Sequence, residues 1–344
     1  MYVKREKNKK MWGNYRMKGI RIILYCMILC IFLPHKVHAE EIADEKAPLD
    51  IIFVIDCSGS MKANDPSKTG LRMVQAFVDT VQTRDIRIGY VAYSHKIEAS
   101  SAPRTIDTPN KREEFREEIG NIVYSGDTDI GLGISCAYQL FQTEEDVKKI
   151  IVLISDGETD LPGEGERSEQ ESDQDLKEYI TKCSDENIQI HTVAFGDFDG
   201  SKKALQEISA QTDARSYSVR SPENLIDVLY GIFQDNLSYK IQKYSSGMYA
   251  GGNQEIKCII DDSYIEEMSI LLLSSKPVGK TSVLYGGKEI TLTNLSQYAV
   301  CKLENAETEL SEKELIIRSK TEENQDLQVY IVCYRTLVPI FEIS

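Results

Sequence analysis

The sequence predicts an α/β protein, in which an open, doubly wound domain with a mostly parallel sheet is followed by a small β-sandwich. In residues 49–238, short runs rich in Ile and Val alternate with stretches whose apolar residues recur at helical spacing. This alternation is typical of a parallel sheet with helices on both faces. In residues 239–344, short alternating runs are separated by glycine and polar turns, which favours a β-sandwich.

Four strands are expected to form the core of the first domain, at residues 50–56, 86–93, 149–155 and 188–196. The weaker run at 96–106 predicts an edge strand that returns antiparallel, and a short strand is expected at 215–217. Apolar residues at helical spacing predict helices at 71–81, 131–141, 176–183 and 224–237. In a sheet of this kind, ligand sites lie beyond the carboxyl ends of the strands.

The second domain, residues 239–344, is expected to be a small immunoglobulin-like sandwich. Strand-like runs lie at residues 255–261, 268–274, 281–285, 289–292, 315–318 and 327–334. Gly286 and Gly287 stand between two of these runs and predict a hairpin turn. Because almost no linker separates the two domains, we expect them to pack as one unit.

The amino terminus has the features of a secretory leader. Residues 1–39 contain nine basic residues and one acid, and an apolar run occupies 22–33. We therefore predict a signal peptide over 1–39 and a short linker over 40–48, with an extracellular or cell-surface location. The apolar run is shorter than the roughly 20 residues of a spanning helix. A membrane anchor formed by an uncleaved leader is the alternative.

The chain is acidic, with 55 Asp and Glu against 40 Lys and Arg among 344 residues. Such a surface repels nucleic acids and anionic lipid headgroups, so we expect no nucleic-acid partner and no membrane contact except through an uncleaved leader. Residues 278–281 are similar to part of a phosphate-binding loop, but Ser274 stands where the first glycine belongs and a strand-like run follows. Nucleotide binding is therefore not expected.

The cysteines and histidines argue against a zinc site and against catalysis. The six cysteines after the leader are widely spaced without a CxxC pair, and His95 and His191 are the only histidines there. His191 alternates with apolar residues, which favours a histidine satisfied within the core. Cys57 and Cys136 are expected to be buried thiols. The sequence leaves open whether two of the last three cysteines form a disulfide. We expect a protein that is not an enzyme.

Three loops at the expected carboxyl edge of the sheet carry oxygen-bearing side chains. The first predicted strand ends in Asp56, and Ser58 and Ser60 follow at alternate positions. Thr128 lies just before a predicted helix, and Asp156 follows a buried run. Because the carboxyl ends of parallel strands meet at one edge, these side chains are expected to converge on a single cation.

This set resembles the metal-ion-dependent adhesion site of the von Willebrand factor type A family, which is written Asp-x-Ser-x-Ser, then Thr, then Asp. All positions are matched in order, by Asp56, Ser58, Ser60, Thr128 and Asp156. The resemblance covers residues 49–238 and implies a Rossmann-like fold in a bacterial secreted or surface protein. It also implies that the three hydroxyls bind the cation directly and that the two carboxylates act mainly through bound waters.

Oxygen ligands without sulfur or imidazole select a hard cation, and a small octahedral site favours Mg²⁺, with Mn²⁺ or Ca²⁺ as alternatives. A Glu or Asp carboxylate of a partner is expected to complete the coordination. We therefore expect an adhesion protein that recognises a protein or matrix ligand through the bound cation. The alternative is a structural subunit of a pilus or surface complex, in which the metal only stabilises the domain.

Further acidic residues surround the predicted site. Asp127, Glu158 and Asp160 lie in the same loops and are expected to form an acidic rim, which strengthens cation capture and disfavours an acidic partner. A stretch of six acids follows and is expected to be a solvated loop: Glu164, Glu166, Glu169, Glu171, Asp173 and Asp175.

Overall fold

The computed structural model describes ten segments of the chain, namely residues 48–81, 86–142, 146–162, 167–195, 199–220, 224–234, 239–260, 265–295, 297–304 and 313–335. The predicted signal peptide at 1–39 lies outside the described residues, as does the linker up to residue 47. The described segments all belong to one compact unit of the chain.

A six-stranded sheet forms the centre of the first part. Its strands are β1 (Leu49–Asp56), β2 (Ile86–Tyr93), β3 (Ile97–Thr105), β4 (Lys148–Ser155), β5 (Gln189–Phe195) and β6 (Ser216–Val219). The order is β3-β2-β1-β4-β5-β6, and every pair is parallel except β2 with β3. All eight residues of β1 are buried, as a central strand covered on both faces requires. The predicted fold class and the antiparallel edge strand are confirmed.

Helices cover both faces of this sheet. They are α1 (Met61–Asn64), α2 (Thr69–Thr80), α3 (Pro109–Gly120), α4 (Ile130–Leu140), α5 (Glu169–Asp185), α6 (Asp199–Ala210) and α7 (Leu225–Gln234). Ile51 and Phe53 of β1 share a core with α2, α3 and α7, whereas Ile52 and Val54 share another with α4, α5 and α6. Within the described segments, no helix is long and apolar enough to cross a membrane.

The helices differ from the sequence prediction in two respects. Helices α1, α3 and α6 were not predicted. The solvated loop expected for the acidic stretch is wrong where the structure describes that stretch, from Glu169 to Asp175. Residues from Glu169 onward form the first turns of α5, because Ser168 and Glu171 make a capping box in which each side chain bonds the other residue's backbone N–H. Acidic side chains in the first turn are also stabilised by the helix dipole.

The second part consists of two antiparallel sheets. The strands are β7 (Tyr239–Tyr249), β8 (Gly252–Ile260), β9 (Ile265–Ser274), β10 (Thr281–Tyr285), β11 (Lys288–Thr291), β12 (Thr293–Leu295), β13 (Tyr298–Glu304), β14 (Lys313–Thr321) and β15 (Gln325–Arg335). The sheet orders are β11-β10-β14-β8 and β12-β13-β9-β15-β7. Gly286 and Gly287 have φ of 58° and 81° in the β10–β11 hairpin, which confirms the predicted turn. Strands β7, β12 and β13 lie outside the predicted runs.

The five-stranded sheet packs against the helices of the first part. Alternate residues of β9 face opposite ways, since Leu272 lies in the core between the two sheets and Leu271 lies in the core that contains α2 and α7. The ring of Tyr230 on α7 lies 5.9 Å from Phe77 and 5.4 Å from Tyr330 on β15, measured between centroids. One apolar core therefore runs from the first sheet through the α2 and α7 layer into the second part.

Among the described residues, no disulfide bond joins any two of the six cysteines. Cys57 is buried, which agrees with the prediction, whereas Cys136 is only half-buried. The thiols of Cys258, Cys301 and Cys333 lie on β8, β13 and β15 respectively and form no bridge with one another.

Candidate functional site

The predicted site lies at the carboxyl edge of the six-stranded sheet. Asp56 ends β1, and Asp156 directly follows the neighbouring strand β4. Because β1 and β4 run parallel with Ile55 opposite Ile154, the two acids leave the sheet side by side. Parallel pairing of two central strands thus brings together residues that are far apart in the sequence.

Asp56 is fully buried, and both of its carboxylate oxygens accept hydrogen bonds. The backbone N–H of Ser58 donates to Oδ1 at 2.8 Å, and the hydroxyl of Ser155 donates to Oδ2 at 2.6 Å. Burial raises the pKa of Asp56 to about 6; the hydrogen bonds from Ser155 and Ser58 oppose the shift, and the charge of Asp156 adds to it. Two neighbouring buried carboxylates are an environment that a cation would stabilise.

A chain of hydroxyl groups connects the first loop to Asp156. The hydroxyl of Ser60 donates to Asp156 Oδ1 at 2.9 Å, and its oxygen lies 3.0 Å from the hydroxyl oxygen of Ser58. The remaining oxygen of Asp156 accepts a bond of 2.8 Å from the side-chain amide of Asn64. Asp56, Ser58, Ser60 and Asp156 therefore belong to one local arrangement.

Thr128 lies on a loop that is bonded to the first loop through the backbone. The N–H of Gly59 donates to the Gly126 carbonyl at 2.8 Å, and the N–H of Ser125 donates to the Cys57 carbonyl at 2.6 Å. Gly126 has φ of 82°, and a side chain there would meet the ring of His95. Thr128 is 5% exposed, but within the described segments no hydrogen bond joins its hydroxyl to the other four predicted residues.

Three supporting residues were not predicted from the sequence. Asn64 and Ser155 bond the two site carboxylates, and Asp65 anchors the loop between α1 and α2. The Asp65 carboxylate accepts the N–H groups of Thr69 and Gly70, both at 2.7 Å, at the start of α2. An acid shortly before an apolar helical pattern is a signal that could have identified Asp65. No comparable pattern marks the other two.

The donors gathered here suit a hard cation. Hydroxyl and carboxylate oxygens form the network, and within the described residues no group of three His, Cys, Asp or Glu side chains is placed to hold a metal. Hydroxyl and carboxylate oxygens are hard donors, which suit Mg²⁺. The neighbouring thiol of Cys57 donates to the Tyr93 carbonyl, and burial and the charge of Asp56 raise its pKa to about 12, so it stays protonated.

The rim of the site is acidic on the side of the loops that carry Thr128 and Asp156. Glu158 and Asp160 are exposed, and Asp127 is half-buried. Asp160 also pairs with Thr128 through two backbone hydrogen bonds of 3.0 and 2.9 Å, so its carboxylate is attached to a fixed backbone. The rim adds negative charge around a site that already contains two acids, which favours cation capture.

A family model for the von Willebrand factor type A domain matches residues 50–230. Among solved structures, a von Willebrand factor type A protein from Catenulispora acidiphila is similar with 13% identity and a TM-score of 0.44, over 86% of this chain and 60% of that one. The von Willebrand factor domain of the type V pili tip protein Mfa5 from Porphyromonas gingivalis has 17% identity and a TM-score of 0.44, over 55% and 95%.

The pilus adhesin SpaC from Lactobacillus rhamnosus GG is also similar, with 11% identity and a TM-score of 0.46, over 84% of this chain and 40% of that one. This chain thus spans less than two thirds of the Catenulispora and Lactobacillus structures. A comparison with curated proteins gives no match.

Proposed function

Because the chain belongs to the von Willebrand factor type A domain family, we propose that it is an exported, non-enzymatic adhesion protein that recognises a protein or matrix ligand through a bound divalent cation. The proposed cation is Mg²⁺, with Mn²⁺ or Ca²⁺ as alternatives. It is held by the five residues at the carboxyl edge of the six-stranded sheet: Asp56, Ser58, Ser60, Thr128 and Asp156.

The observation that carries this proposal is the hydrogen bond from the Ser60 hydroxyl to Asp156. A hydroxyl that donates its hydrogen bond to a carboxylate keeps an oxygen lone pair for a cation. Ser58 lies within hydrogen-bonding distance of Ser60 and is 1% exposed, so its hydroxyl is also fixed by its surroundings. The two serine oxygens lie 3.0 Å apart, which supports a cation shared between them.

The proposed recognition depends on charge that the site leaves uncompensated. A bound divalent cation supplies positive charge to which a partner's Glu or Asp carboxylate can bind. Neutral hydroxyls as direct ligands preserve that charge. Asp56 and Asp156 attract the cation while each carboxylate accepts two hydrogen bonds. Ser58 and Ser155 donate to Asp56, and Ser60 and Asn64 donate to Asp156. The acidic rim selects partners whose acidic group is isolated rather than clustered.

Chelation combined with a site variant tests this function. The purified protein is applied to a panel of immobilised extracellular matrix proteins in Mg²⁺ and in EDTA, together with Asp156→Ala and with Asp173→Ala, an exposed acid outside the site. We expect binding that EDTA and Asp156→Ala abolish and that Asp173→Ala retains. Binding that survives both the chelator and Asp156→Ala contradicts the proposal and favours the structural assembly subunit.

A further inference from the structure

A residue outside the five predicted positions holds one of the two site carboxylates. Asn64 is the last residue of α1 and lies one helical turn after Ser60. Its amide nitrogen donates to Asp156 Oδ2 at 2.8 Å, while the Ser60 hydroxyl donates to Asp156 Oδ1 at 2.9 Å. One turn of the chain therefore bonds both oxygens of an acid that comes from a different strand.

The position of Asn64 is itself fixed by its neighbour. Asp65 is 1% exposed, and its carboxylate accepts two backbone N–H groups at the start of α2 and the hydroxyl of Tyr124 at 3.0 Å. The N–H of Asp65 also donates to the Met61 carbonyl and closes the turn of α1. The Asn64 amide thus extends from a segment that is bonded to α2 and to the loop after α3.

We propose that Asn64 is a positioning residue for the cation site: it holds Asp156 so that Oδ1 accepts a hydrogen bond from the Ser60 hydroxyl and the Ser60 oxygen stays available to the cation. This inference rests on the proposed function. The other acid has an equivalent support, since Ser155 bonds Asp56 Oδ2 at 2.6 Å.

The chemistry of an amide suits this role. A neutral N–H donor orients a carboxylate and leaves its charge in place, whereas a lysine or arginine would neutralise the acid and repel the cation. Groups that orient metal-binding residues affect metal affinity strongly, and their loss typically weakens binding about 10- to 100-fold. The role therefore predicts a loss of cation affinity in variants that fold, in addition to the loss of stability that follows when the buried Asp156 carboxylate loses a donor.

The experiment is a calorimetric titration of the metal-stripped protein with Mn²⁺ alone. Three variants are compared with the parent: Asn64→Ala, which deletes the donor; Asn64→Leu, which keeps a similar shape without the donor; and Asn121→Ala, an exposed control at the end of α3. The thermal unfolding of each protein is measured without metal. We expect the Kd for Mn²⁺ to rise about tenfold in both Asn64 variants and to stay at the parental value in Asn121→Ala.

The metal-free melting temperature separates positioning from folding. We expect it to fall by a similar amount in both Asn64 variants, because each removes a donor from the buried Asp156 carboxylate, and if Asn64→Ala does not fold, Asn64→Leu provides the comparison. An unchanged Kd in a folded Asn64 variant overturns the inference, whether or not the melting temperature falls, and leaves the proposed function intact. A parent protein that does not bind Mn²⁺ overturns the proposed function and this inference together.

Discussion

The hydroxyl of Tyr298 on β13 donates a hydrogen bond of 2.9 Å to Asp79 Oδ2 on α2, and both residues are buried. Arg116 of α3 donates to the other oxygen of Asp79 at 2.7 Å. Burial raises the pKa of Asp79, and Arg116 and the Tyr298 hydrogen bond oppose that shift. This polar contact lies inside the apolar core that joins the two parts of the chain, so it fixes how β13 is placed on α2.

Replacing Tyr298 by Phe is expected to destabilise the protein by about 1–3 kcal/mol, because a buried carboxylate loses a donor. Urea unfolding followed by circular dichroism measures the change. Tyr217→Phe is the control, since Tyr217 is half-buried and its hydroxyl has no hydrogen-bond partner within the described segments. Equal stability of the parent and Tyr298→Phe would show that the contact contributes nothing.

The two parts are expected to unfold in one transition, because their apolar core is continuous. Leu271 and Leu272 are both fully buried, the first in the core against α2 and α7 and the second between the two β-sheets. We expect Leu271→Ala and Leu272→Ala each to lower the free energy of unfolding by about 2–5 kcal/mol and to shift the whole transition. Scanning calorimetry with the two variants makes the comparison. A second transition that only Leu272→Ala moves would contradict this prediction.

The sequence predicts elements well where burial creates a simple pattern. Strand β1 is buried at every position, and its unbroken apolar run gave bounds within one residue of those observed. Helix α3 buries only Phe115 and Ile119, so it shows no apolar stripe, although Thr108 caps it and Pro109 begins it. Strand β7 has a mostly half-buried and exposed pattern, with Lys and Ser among its residues, and therefore resembled a loop.

The residues of the site also differ in how well the sequence predicts them. Asp56, Ser58 and Ser60 follow one strand, so local spacing is sufficient to group them, and the parallel sheet adds Asp156. The bond from Asn64 to Asp156 joins residues 92 positions apart in the sequence and depends on where α1 begins and ends. Such a contact leaves no trace in the local pattern, because an Asn in this place is equally compatible with an exposed turn.

Metal binding is expected to stabilise the protein by mass action. At a free Mg²⁺ concentration of 100 times the Kd, the expected gain is about 2.7 kcal/mol, measured as a higher melting temperature than in EDTA. In Ser60→Ala the gain should be lost, because the variant removes a proposed ligand and the proton donor to Asp156. Ser246→Ala, at an exposed position of β7, should keep the full gain. If Ser60→Ala responds to Mg²⁺ as the parent does, Ser60 is not a ligand.

Stability is expected to fall with acidification through His191, which is 6% exposed on β5. Its Nδ1 accepts the Arg215 N–H at 3.3 Å, while Nε2 is buried and unpartnered among the described residues, so the core histidine is only partly satisfied. Burial lowers the pKa of His191 from 6.5 to about 4, and the charge of Lys148 contributes.

The direction of this pH dependence follows from the lowered pKa of His191. Above pH 6.5 the imidazole is neutral in both the folded and unfolded states, and its contribution to stability is constant. Between pH 6.5 and about 4 the unfolded state takes up the proton first, so the free energy of unfolding decreases by roughly 1.4 kcal/mol for each unit by which the two pKa values differ. Urea unfolding across this range should therefore show a shallower pH dependence for His191→Gln than for the parent. Equal slopes in the parent and in His191→Gln would contradict the assignment.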